Sequence, residues 1–331
     1  MKKTMKRVIA VILCAMLMLS FAACSADKPA ADDGKYTIGI CQLVTHDALD
    51  AATKGFKEAV IAGLGEENVT FDEQNASNDT TMCKTITDNF VTKKVDLIMA
   101  NATPALTAAV TSTKEIPILG TSVTEYGVGL GIENFNGTVG GNVSGTSDLA
   151  PLDQQGQMIL DILPNAKKVG LLYCSAEPNS VYQVEKVKEF LDGKGITATV
   201  YTFSDSSDVA LVAQKAADEN DALYVPTDNT AAECATAIYN AMTTKKPIIA
   251  GEQGICKGCG IATLSIDYYD LGYKTGEMAV DILKNGADIS TMAIEYTPEE
   301  KLTKMYNETI CTELGIDVEA LKTAGYTAIE Q

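Results

Sequence analysis

The chain has 331 residues, with 26 basic against 44 acidic side chains and a net charge of −18. So acidic a balance excludes a nucleic-acid binder, which needs cations to neutralise phosphates. One histidine and no tryptophan leave little for metal or redox chemistry, and neither a metal nor a cofactor is expected.

Lys2, Lys3, Lys6 and Arg7 precede an almost wholly apolar run, Val8 to Ala22, and Ala22 and Ala23 lead into Cys24. This is the layout of a secretory signal. The cysteine after two alanines is similar to a bacterial lipoprotein cleavage box, with Cys24 as the lipidation site. The run is shorter than the roughly 20 residues a spanning helix needs. Residues 25–35, small and polar, read as a tether. Loss of the four leader cations leaves 22 basic against 44 acidic residues, a net −22. About 295 residues follow the tether, enough for two domains of roughly 150 each.

From Tyr36 onward, short β-like runs alternate with amphipathic helical stretches. The strand Tyr36–Cys41 precedes a helix over 48–63, where Leu49, Ala52, Phe56, Ala59 and Val60 recur at helical spacing. Strands are predicted at 69–73, 95–100 and 116–119, with helices at 80–92 and from Pro104. A second series has helices near 153–163, 180–191, 207–219 and 230–242, and strands at 169–174, 197–203, 222–225 and 248–250. The runs LIMA, PILG, GLLYC and ALYVP are continuously apolar, as parallel strands covered on both faces are. The expected fold is therefore α/β: two lobes, each a mostly parallel sheet flanked by helices. The glycine- and asparagine-rich stretch 130–148 suits a crossover between them. A further strand and helix fill 262–286. The expected partition is 1–24 leader, 25–35 tether, 36–145 with 267–288 as the first lobe, and 146–266 with 289–331 as the second.

Ligands of open α/β sheets bind beyond the carboxyl ends of the strands. The junctions there carry Thr45, His46, Thr103, Pro104, Thr121, Ser122, Tyr126, Glu177, Asn179, Ser180, Asp228, Asn229 and Glu252. Each also reads as a helix cap: Thr103 before Pro104, and the capping-box pairs Ser180 with Gln183 and Thr230 with Glu233. Helix N-termini favour a carboxylate, and Asp228 and Glu252 supply anions for an ammonium. A cleft with both suits a zwitterionic amino acid. Serine-hydrolase, dinucleotide, P-loop and zinc-protease signatures are missing, so an enzyme is not expected. Cys256 and Cys259 form a lone CxxC, either a strained disulfide or a pair of bystander thiols.

The segments ICQLVTHDALDAATKGFKEAV, DEQNAS, DLIMANATPAL, GTSD, YCSAEPNSVYQVE, YVPTDNT and IDYYDLGYKTGEMAVDIL resemble, in order, ABC-transporter solute-binding proteins of the tryptophan-binding type. The resemblance implies a type I periplasmic-binding-protein fold with three hinge crossovers. It also implies an aromatic amino acid as ligand, an ABC permease and ATPase as partners, and an extracytoplasmic, lipid-anchored monomer. It takes Thr103-Pro104 and Asn179-Ser180 as carboxylate contacts and Asp228 as the ammonium partner, with Thr45, His46 and Glu177 lining the cleft. Thr124-Glu125-Tyr126 stands where members usually carry Asp-Pro, so the side-chain pocket differs. Tyr126 and Tyr268 are the candidates for aromatic stacking. The alternatives on the same fold are a ligand-sensing module for a membrane receptor, or the same transport role with a different small polar ligand.

Overall fold

The computed structural model describes residues 34–330; the leader, Cys24 and most of the tether lie outside them. Continuously apolar runs become inner strands. In the first sheet, β1 (Tyr36–Gln42) lies between β2 (Val69–Asn75) and β3 (Leu97–Asn101). Beyond β3 come β4 (Ile118–Val123), β5 (Val143–Ser147) and β11 (Glu295–Tyr296), all parallel. In the second sheet, β6 (Lys168–Cys174) lies between β7 (Thr197–Phe203) and β8 (Ala222–Val225), followed by β9 (Ile248–Ala250), β10 (Ala262–Ser265), β12 (Thr303–Tyr306) and β13 (Thr327–Ala328). Only β12 runs antiparallel to its inner neighbour.

Helices flank both sheets: α1 (Asp47–Leu64), α2 (Thr80–Lys93), α3 (Thr103–Ser112) and α4 (Tyr126–Leu130) belong to the first lobe, and α5 (Leu152–Ile162), α6 (Pro178–Gly193), α7 (Val209–Glu219), α8 (Asn229–Glu233), α9 (Ala235–Ala241) and α10 (Gln253–Cys259) to the second. The chain then re-enters the first lobe as α11 (Tyr268–Leu283), which packs on α1 at glycine contacts. A methyl at Gly272 would lie 1.9 Å from the Ala52 carbonyl oxygen, and one at Gly55 would lie 2.1 Å from that of Tyr269. Beneath this seam Phe56 is fully buried, worth about 1.5–3 kcal/mol relative to exposure. Two short helices, α12 (Glu308–Glu313) and α13 (Val318–Thr323), lie near the C-terminus.

The expected partition needs two corrections. The boundary at 145 cuts β5, and 289–331 is not all second lobe, because β11 pairs with β5 in the first sheet. The stretch read as a bending crossover thus contains a strand. The chain passes between sheets three times: after β5, before α11, and between β11 and β12. The helix expected at 230–242 is broken at Cys234 into α8 and α9. Among the described residues no helix is long and apolar enough to cross a membrane.

Candidate functional site

The carboxyl ends of both sheets converge on a cavity of only about 10 Å³, far below the roughly 300–1,000 Å³ of ligand pockets. His46 and Leu49 enter it from α1, Ser122 and Thr124 from the end of β4, Asn179 from α6, and Thr227, Asp228, Asn229 and Ala232 from the β8–α8 region. Asp148, just after β5, Glu252 and Tyr268 complete the wall.

Ser122 owes its aim to an irregularity. The β4–β5 register shifts between Gly120 and Val123, and Ser122 has φ +53. Such a bulge redirects a side chain that regular pleating would bury. Gly145 allows the close approach on β5, for a side chain there would lie 2.1 Å from the Gly120 carbonyl oxygen at φ +145.

Three acids line the wall, and their oxygens are committed differently. Asp228 caps α8: one oxygen accepts from the Ala231 amide (2.7 Å), the other from the Cys174 amide (2.8 Å). Glu252 caps α10, accepting from the amides of Gly254 (2.6 Å) and Ile255 (2.5 Å). Asp148 caps no helix; its Oδ2 accepts from the Tyr268 hydroxyl at 2.9 Å, the Thr124 hydroxyl lies beside the carboxylate, and its Oδ1 has no partner within hydrogen-bond geometry. Burial raises Asp148 from the ordinary 3.8 to about 6, helped by Glu252 and opposed by the Thr124 and Tyr268 hydroxyls. Asp228 is raised by burial and by Glu177, against its amide donors and Ser180. Glu252 is raised by burial too, with His46 opposing.

Glu177 turns out to be a brace behind the wall. Its Oε1 accepts from Thr230 N (2.9 Å) and Oγ1 (2.8 Å), and its Oε2 from Asn229 N (3.0 Å) and Nδ2 (2.7 Å) and from Asn179 Nδ2 (3.2 Å). It is not among the cavity-lining side chains. Several other expectations need the same correction. Tyr126 is fully buried in the first-lobe core, with its hydroxyl on the Thr146 carbonyl at 3.0 Å, so it cannot stack on a ligand. Thr121 is interior as well, its hydroxyl 3.2 Å from that of Thr146. Thr45 accepts from Asn75 at the surface, and Ser180, fully buried, meets Asn179. Thr103 and Pro104 line a separate groove with Thr107, Ala176 and Pro178. The cap before Pro104 is Ala102, at φ +94, not Thr103. Neither capping box forms: Ser180 lies inside the first turn of α6, and Asp228 rather than Thr230 caps α8. Cys256 and Cys259 are free buried thiols.

Among the described residues, seven buried side-chain polar atoms lack a hydrogen-bond partner, and four of them belong to this one cavity: His46 Nδ1, Ser122 Oγ, Asp148 Oδ1 and Asn179 Oδ1. Buried polar atoms are rarely left unpaired, so their convergence marks a place built for a polar ligand. Of the four, Asp148 escaped sequence reasoning, although the GTSD segment contains it. Two long helices, α1 and α6, also point their N-termini here from opposite lobes with no side-chain hydrogen bond capping either.

Residues 37–325 match the family model described as ABC transporter substrate binding protein. The chain belongs to that family. Its members are extracytoplasmic binding components of transporters, not enzymes. The chain is 36% identical over 307 residues to a tyrosine-binding protein of Clostridioides difficile, covering 88% of this chain and 89% of that one. Its structure is similar to a Streptococcus pneumoniae ABC domain in complex with L-Trp (TM-score 0.84, 30% identity, 89% of this chain and all of that one). It is also similar to the ligand-free, open structure of a Clostridium difficile substrate-binding protein with adhesive properties (TM-score 0.68, 36% identity, 89% and 99% covered). The match in shape is better to the ligand complex, although the sequence is nearer the open one. Contacts cross the cleft: Asn78 Nδ2 donates to Thr230 Oγ1 at 3.1 Å, and His46 Nε2 lies 3.4 Å from Asn229 Oδ1.

Proposed function

We propose that this protein captures a free aromatic α-amino acid between its lobes and presents it to an ABC permease and its ATPase. The observation that carries the reading is the set of four unpartnered polar atoms in a cavity that also holds three acids and no lysine or arginine. A wall of that charge favours a ligand bearing an ammonium. The uncapped N-termini of α1 and α6 offer backbone amides and partial positive charge to its carboxylate. The Leu49 side chain, Ala232 and the Tyr268 ring supply apolar wall. The two relatives whose names specify tyrosine and L-Trp support an aromatic side chain.

Lobe closure by hinge motion then signals occupancy, because ligand binding favours the closed form only to the extent that it binds it better. Lipidation of Cys24 would hold the receptor beside the permease as a monomer, since a two-chain lipid gives stable attachment. A thermal-shift screen of the mature domain tests the ligand class: L-tyrosine, L-tryptophan or L-phenylalanine at about 100 times its dissociation constant should add roughly 2.7 kcal/mol. Stabilisation by a sugar or nucleoside and by no amino acid would refute the reading. Mass spectrometry of the membrane-extracted N-terminus tests the anchor; an unmodified N-terminus on a freely diffusing protein would remove it.

A further inference from the structure

We infer that Asp148, not Asp228, holds the ligand's ammonium, in a three-acceptor cradle formed by Asp148 Oδ1, Asn179 Oδ1 and Ser122 Oγ. This rests on the amino-acid reading above and assigns roles within that site. An ammonium presents three N–H donors and no acceptor, so it needs three acceptors, preferably one of them ionised. The cavity offers that set. Asp228 and Glu252 each have both oxygens engaged by backbone amides of the helices they cap. Asp148 alone among the lining acids keeps an unpartnered oxygen. The Asn179 amide is oriented by its surroundings: Nδ2 donates to Glu177 Oε2 at 3.2 Å and to the Thr227 carbonyl at 3.2 Å, which turns Oδ1 away with no partner. The Ser122 hydroxyl, turned by the β4 bulge, is the third. All three residues are at least nine-tenths buried.

The cradle draws on every part of the machine. Ser122 belongs to the first lobe and Asn179 to the second. Asp148 opens the first crossover, and Tyr268, which holds its other oxygen, opens α11 just after the second. The three acceptors come from both lobes and the crossover between them, so the ammonium ties both lobes to the hinge. The charged and titratable groups around Asp148 are Tyr268 from α11, Tyr126 from α4, Glu252 from α10, and across the cavity His46 and Asp228. None supplies a fixed cation. A ligand without an ammonium therefore closes the cleft only if Asp148 takes up a proton, a step its burial already favours.

The test compares L-tyrosine with its des-amino analogue, 3-(4-hydroxyphenyl)propionate, by calorimetry between pH 5 and 8 on the wild type and on Asp148→Asn, Asp228→Asn and Tyr268→Phe. L-tyrosine should lose at least about 30-fold in affinity in Asp148→Asn, as truncation of one member of a buried charge pair does. The des-amino analogue should bind the wild type with proton uptake and weaken by up to about tenfold per pH unit as Asp148 ionises. Asp148→Asn should abolish that pH slope; Asp228→Asn and Tyr268→Phe should retain it. An unchanged L-tyrosine affinity in Asp148→Asn, or the 30-fold loss falling on Asp228→Asn instead, overturns the assignment while leaving the amino-acid reading intact. Failure of the wild type to bind L-tyrosine, L-tryptophan or L-phenylalanine overturns both. Melting curves of each variant at pH 8 separate lost binding from lost folding, and Tyr268→Phe supplies a variant that retains the carboxylate.

Discussion

Glu177→Gln replaces a fully engaged carboxylate by its neutral isostere, and the five hydrogen bonds it accepts set the cost. If the new amide nitrogen takes the place of Oε1, it meets the Thr230 amide, which cannot turn away, and the Thr230 hydroxyl, which can. In place of Oε2 it meets three donors: Asn229 N, Asn229 Nδ2 and Asn179 Nδ2. The first orientation is cheaper. It forfeits one hydrogen bond to a charged group, worth about 1.5–3 kcal/mol, and orphans a buried amide, a further cost of about 1–3 kcal/mol. Loss of the Glu177 charge relieves Asp228, which that charge disfavours as an anion, and returns part of this. A net destabilisation of about 3 kcal/mol follows, or roughly 5–10 °C in Tm for a domain of this size. Circular dichroism melts at pH 7, without added amino acid, measure it. A shift below about 2 °C would refute the account of Glu177 as the brace of α8.

Gly272→Ala should destabilise by at least about 2 kcal/mol, because the methyl meets backbone at 1.9 Å and overpacking outweighs the 0.5–1 kcal/mol that alanine gains in a helix; a neutral or raised Tm would refute the glycine seam. Without ligand the fold should lose stability as pH rises. Asp148 has a folded pKa above its unfolded value, so it holds a proton the unfolded chain releases, and its favourable contribution, roughly 3 kcal/mol at most, disappears between about 4 and 6. Asp228, raised to about 8, and Glu252 are shifted the same way, so the loss continues up to about pH 8. Surface aspartates held down by Lys93 and Lys84 act oppositely, but exposed pairs are screened and weak. Melts at pH 5.5 and 8 check the sign, and a higher Tm at pH 8 would contradict it. Cys256 and Cys259, fully buried and with thiols pushed up by burial, should resist alkylation until the fold opens, and reductant should leave the Tm unchanged; rapid labelling of either in the native protein would overturn this.

The legible parts of the fold were those where local pattern and tertiary structure agree. Continuous apolar runs marked the inner strands, and the strand Thr197–Phe203 appears at the predicted bounds. β5 was hidden because VSGTS has little β-propensity and takes its conformation from β4 and β11. The site was legible as a set of junctions but not as a division of labour. Local rules make Asp228 both cap and ligand group, and only the amides of Ala231 and Cys174 decide. Asp148 gains its meaning from Tyr268, 120 residues away, a separation no spacing rule spans. At Thr103 the cap rule failed because the residue outside the first turn is Ala102, at φ +94, with its amide donating to the Thr121 carbonyl of β4.

The α1–α11 seam joins residues 47–64 to residues 268–283, and β11 follows later still. A chain that emerges N-terminus first therefore synthesises almost all of itself before its first lobe has its second covering helix. Until then α1 has no partner for Gly55, and the face carrying Phe56 and Val60 has only part of its cover. The second lobe has β6 to β10 in one contiguous run and waits only for its edge strands β12 and β13. Contacts this distant in sequence slow folding, so the core of the first lobe closes late.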